Sequence, residues 1–300
     1  MFKFNFDIET GEAHMSAPQS DYATISDGKP EQAEDAALVC SNKEPFQEVF
    51  PNEAFNSSDS SCESPPICET LGVKHLSAPI TSKNDHLFQR AEKLNSDLIP
   101  QVYEGGYKIW ESTIDLLNVL SQRQELVCGR HVLDLGCGAG VGGLRAVLDG
   151  ASSVHFHDYV RGFYNIVINA SVLANLTIPN FRLLSSTIEV EEKKYTTQNV
   201  RFFAGDWTLF KNPMEYDLIL TAETIYRREN YAILCDLFDR CLVPEKGQVI
   251  VAAKTIYFGV GGSMTEFRDC CLRRGWKVET LFRMDKGGWS RFYKTELARQ

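Results

Sequence analysis

The chain has 300 residues, enough for one large domain, and its apolar (43%) and charged (24%) fractions are ordinary for a soluble globular protein. Its net charge of −9 comes from the first 70 residues, which hold 14 Asp and Glu against three Lys and Arg, so the rest is nearly neutral. With no basic face and no apolar run near the ~20 residues of a membrane span, we expect neither a nucleic-acid nor a membrane partner.

The cysteines and the N-terminus restrict the compartment. None of the nine cysteines forms a CxxC pair, and the first residues lack a basic start followed by a long apolar core. His155 and His157 alternate on a predicted strand without a Cys or Glu cluster nearby, which makes a poor zinc site. We therefore expect free thiols, no metal and no secretory signal, and hence a cytoplasmic or nuclear protein.

Residues 1–94 are predicted to form an acidic, low-complexity and mostly disordered tail. NSSDSSCESPP is its clearest part, because so polar a segment cannot bury enough apolar surface to offset its ordering entropy. The opening FKFNFDI alternates apolar and polar residues, which predicts a short strand or an interaction motif.

Residues 95–300 are predicted to form an α/β domain. Apolar residues at helical spacing between Ile109 and Leu120 follow a Gly-Gly turn. Strands are then predicted at 131–135, 153–157, 200–204, 217–221 and 248–253, alternating with helices near 141–149, 162–175, 229–242 and 263–274. This alternation is typical of a doubly wound parallel sheet. WKVETLF and SRFYKTEL, separated by RMDKGGW, predict a closing antiparallel hairpin.

The stretch VLDLGCGAGVGG, residues 132–143, predicts a ligand loop between the first parallel strand and a helix. In such sheets ligands bind at the carboxyl ends of the strands, and GAGVGG also fits the dinucleotide pattern GxGxxG. Asp134 would repel a pyrophosphate but suits the ammonium and sulfonium groups of S-adenosylmethionine. Asp158 could bind the ribose of either ligand, whereas Asp206 and Trp207 favour an adenine. The balance favours S-adenosylmethionine, with a dinucleotide-dependent oxidoreductase as the alternative.

Several stretches resemble a known family. VLDLGCGAG, HFHDY, GDW and the closing hairpin resemble the seven-strand, Rossmann-like, S-adenosylmethionine-dependent methyltransferases. YEGGYKIWEST, YDLILTAETIY and AAKTIYFGVGG are longer and resemble the histidine protein methyltransferases within that group.

The resemblance implies cofactor-binding residues in five places. They are Ile109, Trp110, Glu111, Ser112 and Thr113 over the methionine part; Asp134, Gly136 and Gly138 at its amino-acid end; His157, Asp158 and Tyr159 beside the ribose; Gly205, Asp206 and Trp207 around the adenine; and Ala222, where the family commonly has Ser. Each has a structural alternative. Trp110 and Trp207 could be core residues, the histidines could be satisfied in the core, and Asp134 could cap the loop.

Glu223 and Tyr226, in AETIYR, are the candidate catalytic residues, because they leave the fourth parallel strand where the methyl group should lie. We expect one or both to orient an acceptor imidazole. A histidine, with a pKa near 6.5, is mostly neutral at pH 7 and needs tautomer control more than a base. The structural alternative is that Glu223 pairs with Arg227 and Tyr226 packs.

The resemblance also implies the substrate, a histidine of a large-subunit ribosomal protein methylated on its tele nitrogen, and a monomer present in cytoplasm and nucleus. Two alternatives remain beside the oxidoreductase: a lysine methyltransferase of the same fold, since ETIY resembles the acid-x-x-aromatic stretch used there, and a non-catalytic binding protein.

Overall fold

The computed structural model describes residues 46–51, 65–80, 105–159, 172–189, 199–283 and 290–297. Ten strands are present in these ranges: β1 Phe46–Glu48, β2 Ile67–Thr70, β3 Val73–Leu76, β4 His131–Leu135, β5 Ser153–Tyr159, β6 Val200–Gly205, β7 Leu218–Ala222, β8 Gln248–Lys254, β9 Trp276–Arg283 and β10 Ser290–Leu297. The α-helices are α1 Glu111–Gln122, α2 Val141–Leu148, α3 Ile178–Glu189, α4 Asn230–Cys241 and α5 Met264–Arg273.

The central sheet has the order β1-β6-β5-β4-β7-β8-β10-β9. The five strands from β6 to β8 are parallel, whereas β10 pairs antiparallel with both β8 and β9. Strand order reverses between β4 and β7, which makes the carboxyl ends of these strands the switch point where ligands bind in doubly wound sheets. The predicted fold class is therefore confirmed. The strand of this sheet that the prediction lacked is β1, which adds an eighth member at the β6 edge.

Side chains alternate between two faces of the sheet, as the two-residue period of a strand requires. On one face, Val132, Phe156 and Leu220 join a core with α1, α2 and α3. On the other face, Leu133 and Ile219 join a core with α4 and α5. Because residues at i and i+2 share a face, Asp134 and Asp158 lie on the α1–α2 side of the sheet.

The compact unit begins at Pro45, well before the predicted boundary at residue 95. Strand β1 pairs antiparallel with β6, and the Arg201 guanidinium donates two hydrogen bonds to the Glu48 carboxylate, at 2.7 and 2.5 Å. The β2–β3 hairpin buries Val73 and donates a backbone hydrogen bond to a side chain of α3. These short elements were not predicted because they lie in a polar segment. Each is stabilised by a sheet edge or a helix from a distant part of the chain. The predicted FKFNFDI strand lies outside the described residues.

The helix predicted near 162–175 lies mostly outside the described residues, since residues 160–171 are not described; from residue 172 the chain is helical, and helix continues to Glu189. A wide turn of π-helix at Leu173–Thr177 precedes Pro179. A proline inside a helix leaves the carbonyl four residues earlier without its donor. Here the carbonyl of Asn175 accepts the backbone N–H of Ile80 at 2.8 Å. A contact distant in sequence thus permits a helix that the local pattern did not predict.

Candidate active site

A cavity of about 690 Å³, open to solvent, lies at the carboxyl ends of β4, β5 and β7. The predicted site residues that line it are Ile109, Trp110, Thr113, Gly136, Gly138, Asp158, Tyr159, Trp207, Ala222, Glu223 and Tyr226. Six predicted residues do not line it: Glu111, Ser112, Asp134, His157, Gly205 and Asp206. Most of the predicted residues therefore surround one concave site, but the roles predicted for some of them change.

The glycine loop after β4 forms one wall of the cavity. Gly136 (φ 67°) and Gly138 (φ 50°) adopt left-handed conformations, and a Cβ on Gly136 would lie 2.5 Å from the Thr224 methyl group. The N–H groups of Gly136 and Cys137 donate to the His157 carbonyl at 2.8 and 3.1 Å. These bonds fix the loop on β5 and leave its backbone facing the cavity, as a ligand-cradling loop requires.

Asp134 caps a helix instead of lining the cavity. It is buried, and its carboxylate accepts the N–H of Gly143, in the first turn of α2, at 2.7 Å. Burial raises the pKa of Asp134 to about 7, against the effect of this hydrogen bond. The capping alternative therefore describes its position, and the direct contact with a cofactor ammonium that was predicted for it is not supported by the geometry.

The segment from Gly105 to Trp110 covers the glycine loop. A Cβ on Gly138 would be 3.0 Å from the Gly106 carbonyl oxygen, so the two loops are in close contact. Trp110 precedes α1 in an extended conformation, and its indole N–H donates to the Gly105 carbonyl at 3.1 Å. The Lys108 ammonium lies 4.7 Å from the indole centroid. Trp110 is thus a cavity residue, not a residue of the helix's buried face.

Glu111 and Ser112 occupy the first turn of α1 but point away from the cavity. Glu111 pairs with the Lys254 ammonium at 2.8 Å, and this hydrogen bond holds the pKa of Glu111 below its usual value. Ser112 is fully buried and donates from its hydroxyl to Glu223 at 2.5 Å. Both side chains therefore influence the site only through the residues that they contact.

The end of β5 separates its three predicted ribose residues. Asp158 and Tyr159 line the cavity, and the Asp158 carboxylate accepts the Tyr159 N–H at 2.8 Å. His157 is fully buried on the opposite face, where its ring centroid lies 4.6 Å from Phe210 and 6.4 Å from Phe46. Neither of its ring nitrogens has a hydrogen-bond partner among the described residues, and burial lowers its pKa to about 3. The side chain of His157 therefore does not line the cavity, because strand alternation turns it to the opposite face, and the geometry does not support its predicted contact with the ribose.

The end of β6 contributes mainly Trp207. Its ring is 2% exposed, lines the cavity and lies 4.2 Å from the Tyr159 ring, and its indole N–H is buried without a partner in the described residues. Asp206 instead accepts the N–H and hydroxyl of Thr208, at 2.8 and 2.7 Å. Gly205 ends β6 without lining the cavity. Tyr159 and Trp207 thus form the aromatic part of the site, whereas the adenine contact predicted for Asp206 lacks support.

Ala222, Glu223 and Tyr226 leave β7 at the opposite wall. Glu223 is a non-glycine residue with positive φ (58°). Its two carboxyl oxygens accept the hydroxyls of Ser112 and Tyr257, each at 2.5 Å. Burial raises the pKa of Glu223, opposed by these two hydrogen bonds. The predicted alternative, a pair between Glu223 and Arg227, is not formed; the Arg227 guanidinium lies over the Tyr226 ring, 5.4 Å from its centroid.

Sequence reasoning missed residues that shape the site from outside the motifs. The Thr177 hydroxyl donates to the Gly138 carbonyl at 2.5 Å, and the buried Asn180 amide donates to the Ala139 carbonyl at 2.9 Å. Both lie in the segment whose helix was not predicted. Tyr257, the partner of Glu223, lies within AAKTIYFGVGG, a stretch that drew attention only by its resemblance to a family.

The residues present fit S-adenosylmethionine in kind. Asp158 is an acceptor suited to ribose hydroxyls, Tyr159 and Trp207 offer aromatic faces to an adenine, and the glycine loop exposes backbone to the amino-acid end. Among the described residues, no three His, Cys, Asp or Glu side chains could hold a metal ion. None of the described helices is long and apolar enough to span a bilayer.

A family model and the sequences of curated relatives support this interpretation. A family model described as lysine methyltransferase matches residues 100–257. The histidine protein methyltransferase 1 homolog of Bos taurus is 33% identical, covering 91% of this chain and 81% of the relative. The homolog of Mus musculus is 36% identical over 74% of this chain and 65% of its own length. The crystal structure of ribosomal protein L11 methylase from Lactobacillus delbrueckii subsp. bulgaricus has a TM-score of 0.43 and 19% identity, covering 63% of this chain and 80% of that one.

Proposed function

The chain belongs to the histidine protein methyltransferase family, and from that premise we propose that it methylates the tele nitrogen of a histidine in a large-subunit ribosomal protein. S-adenosylmethionine is the methyl donor, and the substrate is a protein. The oxidoreductase and the non-catalytic protein are therefore no longer alternatives. The observation that carries the proposal is the position of Glu223 and Tyr226, which line the same cavity as Asp158 and the glycine loop.

S-adenosylmethionine supplies an activated methyl group on a sulfonium that is itself a good leaving group, so the cofactor carries the bond-breaking chemistry. The protein aligns the acceptor nitrogen with that methyl group and excludes water. Gly136, Gly138 and Asp158 hold the cofactor, together with Tyr159 and Trp207. Trp110, ahead of α1, closes the cavity beside them.

Glu223 and Tyr226 orient the acceptor imidazole. A neutral imidazole has one N–H and one lone-pair nitrogen, and a hydrogen bond to the N–H leaves the other nitrogen free to attack. The Glu223 carboxyl group, in its ionised form, is an acceptor for the nitrogen nearer the side-chain stem. Tyr226 contributes a second polar contact on the same wall. This arrangement selects the tele nitrogen without requiring a strong base.

Replacing Glu223 by Gln tests that role. A hydrogen bond to a charged group contributes about 1.5–3 kcal/mol, so we expect kcat on a histidine-containing substrate to fall roughly 10- to 100-fold. The Kd for S-adenosylmethionine, measured by calorimetry, should change less than about threefold, because the amide keeps the volume and one acceptor. Equal losses in kcat and cofactor affinity, or no loss in either, would contradict the role.

The ribosomal substrate is supported by the sequence resemblance and by charge. The first 70 residues are strongly acidic and could attract a basic ribosomal protein. We propose that the enzyme acts as a monomer in cytoplasm and nucleus, without direct nucleic-acid or membrane contact. The test is incubation with labelled S-adenosylmethionine and extract from cells lacking the protein, followed by mass spectrometry. One ribosomal band labelled on the histidine tele nitrogen is expected; imaging of the tagged chain in cells checks its location.

A lysine acceptor is the second candidate. The matched family model carries the lysine description, and ETIY places Glu223 and Tyr226 in an acid-x-x-aromatic order. A lysine, with a pKa near 10.4, must lose a proton before it attacks. Label on lysine in the same experiment would replace the proposed acceptor and leave the cofactor assignment intact.

A further inference from the structure

The loop after β8 contacts the candidate catalytic residue from outside the cavity. Tyr257 is 3% exposed and does not line the cavity, yet its hydroxyl donates to Glu223 Oε2 at 2.5 Å. On the other side, Ser112 donates to Glu223 Oε1 from its hydroxyl at 2.5 Å and from its N–H at 3.4 Å. The carboxyl group is therefore held between two elements, α1 and the β8 loop, that are far apart in sequence.

The backbone conformation of Glu223 indicates that these hydrogen bonds to its carboxyl group are needed. Its φ of 58° is left-handed, a conformation that is unfavourable for a non-glycine residue. Such strain persists only where the surroundings over-determine it, and it concentrates at functional sites. The Glu223 N–H donates to the Ala252 carbonyl at 2.9 Å, which fixes the backbone while the two hydroxyls fix the side chain.

Tyr257 is itself rigidly placed. Its N–H donates to the Gly262 carbonyl at 2.8 Å, and its hydroxyl accepts the Lys254 N–H at 3.3 Å. Gly262 in turn donates to the Tyr226 carbonyl at 2.9 Å, and a Cβ there would lie 2.2 Å from the Ile225 carbonyl oxygen. The loop thus lies directly on the backbone that carries Glu223 and Tyr226, so its geometry sets theirs.

We propose that Tyr257 is a positioning residue, whose hydroxyl fixes the direction of the Glu223 carboxyl group so that the acceptor imidazole binds in one orientation and one tautomer. The inference rests on the proposed function. It adds that a residue without access to substrate or cofactor determines which ring nitrogen is methylated, and that Ser112 assists from the opposite side.

The same contact affects the ionisation of Glu223. The groups that act on this carboxyl group are Ser112 on α1, Tyr257, and the Lys254 ammonium, which is also paired with Glu111; Tyr226 lines the same cavity. The Tyr257 hydrogen bond lowers the pKa of Glu223, against the effect of burial. Removing the hydroxyl should therefore raise that pKa and move the acidic limb of the rate profile to higher pH.

The experiment compares Tyr257→Phe with the unmodified full chain. Expected results are a kcat about 5- to 30-fold lower, a Kd for S-adenosylmethionine within about twofold, an acidic limb at higher pH, and some methylation of the other ring nitrogen. In a Glu223→Gln background the same change should cost less than about twofold, since the two residues act as one unit. An unaltered pH profile, or the same loss in both backgrounds, would overturn the proposal.

Tyr231→Phe is the matched control. Tyr231 is also buried, and its hydroxyl binds the N–H and the carbonyl of Ser263 at 2.6 and 3.0 Å, at the end of the same loop. It does not contact Glu223. We expect its kcat, pH profile and nitrogen selectivity to match those of the unmodified chain. Changes equal to those of Tyr257→Phe would mean that general loosening of the loop causes them, which would overturn the proposal.

Two further measurements separate the outcomes. If Tyr257→Phe fails to fold, 3-fluorotyrosine at position 257 keeps the shape and strengthens the donor; the acidic limb should then move to lower pH, and no movement counts against the proposal. The ionisation of Glu223 is also followed by infrared difference spectroscopy against Glu223→Gln, with no substrate present. A higher midpoint for the ionisation of Glu223 in Tyr257→Phe supports the contact. It does so even if the acceptor proves to be lysine, an outcome that would contradict only the proposed function. An equal midpoint in the two proteins overturns the proposal.

Discussion

At the scale of single residues, the direction of a side chain decided its role more than its type did. Asp158 and His157 are adjacent, and both were expected beside the ribose. The acid lines the cavity, whereas the histidine is buried among aromatic rings on the other face of β5. Strand alternation, visible in the sequence, predicts this split once Phe156 is known to face α2 and α3.

His157 should make stability depend on pH. Its pKa is lowered from 6.5 to about 3 by burial, so the folded state disfavours the charged ring and stability falls as pH drops below 6.5. His157→Phe removes that dependence together with two buried nitrogens that have no partner in the part of the chain that the structure describes. We expect a higher Tm than the unmodified chain at pH 5, by several degrees, and a smaller difference at pH 8.

His155→Phe tests what the loss of a hydrogen bond adds to such a change, since burial also lowers the pKa of His155, to about 4. The His155 ring bonds the buried Tyr216 hydroxyl at 2.8 Å, so replacing it leaves the hydroxyl without this partner. That variant should lose about 1–3 kcal/mol at pH 8. A Tm for His157→Phe that falls equally at both pH values would show that ring volume, not charge, governs the site.

Substitutions of Asp134 distinguish a role in capping α2 from a role in binding the cofactor. Because Asn keeps an acceptor for the Gly143 N–H, Asp134→Asn should leave the Kd for S-adenosylmethionine within about threefold, whereas Asp134→Ala should cost about 1 kcal/mol of stability. The raised pKa of Asp134 means that stability is lost as pH rises from 3.8 towards 7. The gain in Tm from Asn should therefore be larger at pH 8 than at pH 5. A large loss of cofactor affinity in Asp134→Asn would restore the predicted ammonium contact.

At the scale of elements, α2 packs closely on the sheet where it carries Gly143. A Cβ on Gly143 would be 2.4 Å from Phe156 Cε1 and 3.0 Å from Asp134 Oδ2, so the last glycine of GAGVGG, which is the third of the GxGxxG pattern, permits the helix to pack on β4 and β5. This is the packing function of that glycine in glycine-rich loops of doubly wound sheets. The pattern GxGxxG thus indicates that a helix packs closely on the sheet as much as it indicates a bound ligand.

Gly143→Ala should destabilise the protein although Ala is the better helix former by about 1 kcal/mol. We expect a net loss of about 1–3 kcal/mol in urea unfolding, because Phe156 must move within a packed core. Gly142→Ala is the matched control, since its Cβ would meet Asp134 at an ordinary 3.4 Å. It should change stability by less than about 1 kcal/mol. Equal effects of the two variants would argue against the steric explanation.

At the scale of the whole molecule, β1 extends the compact unit to residues that composition assigned to the tail. Phe46 packs against Phe203 and Phe210, with ring centroids 5.8 and 5.4 Å apart, and β1 covers the edge of β6. An uncovered edge strand invites pairing with other chains. The segment therefore contributes both to stability and to the protection of the sheet edge.

Phe46→Ala should lower the free energy of unfolding by about 2 kcal/mol, less than the 3–5 kcal/mol of a fully buried Phe because this ring is half-buried. Phe50→Ala, at a ring 51% exposed just beyond the strand, should change it by less than about 0.5 kcal/mol. Urea unfolding followed by fluorescence measures both. An equally small effect of Phe46→Ala would mean that β1 does not stabilise the domain.

The sequence by itself determined the five parallel strands and the closing hairpin, because apolar runs that alternate with helical segments are local signals of a buried parallel sheet. The cofactor class followed from the family resemblance, since the glycine loop alone also fits a dinucleotide. The sequence also located most cavity residues, since parallel strands bring their carboxyl ends together. Only the tertiary structure decided that Asp134 caps α2, that His157 faces the opposite core, and that Ser112 and Tyr257 hold Glu223. The physical reason is that these contacts join residues distant in the chain, through directions that no local pattern records.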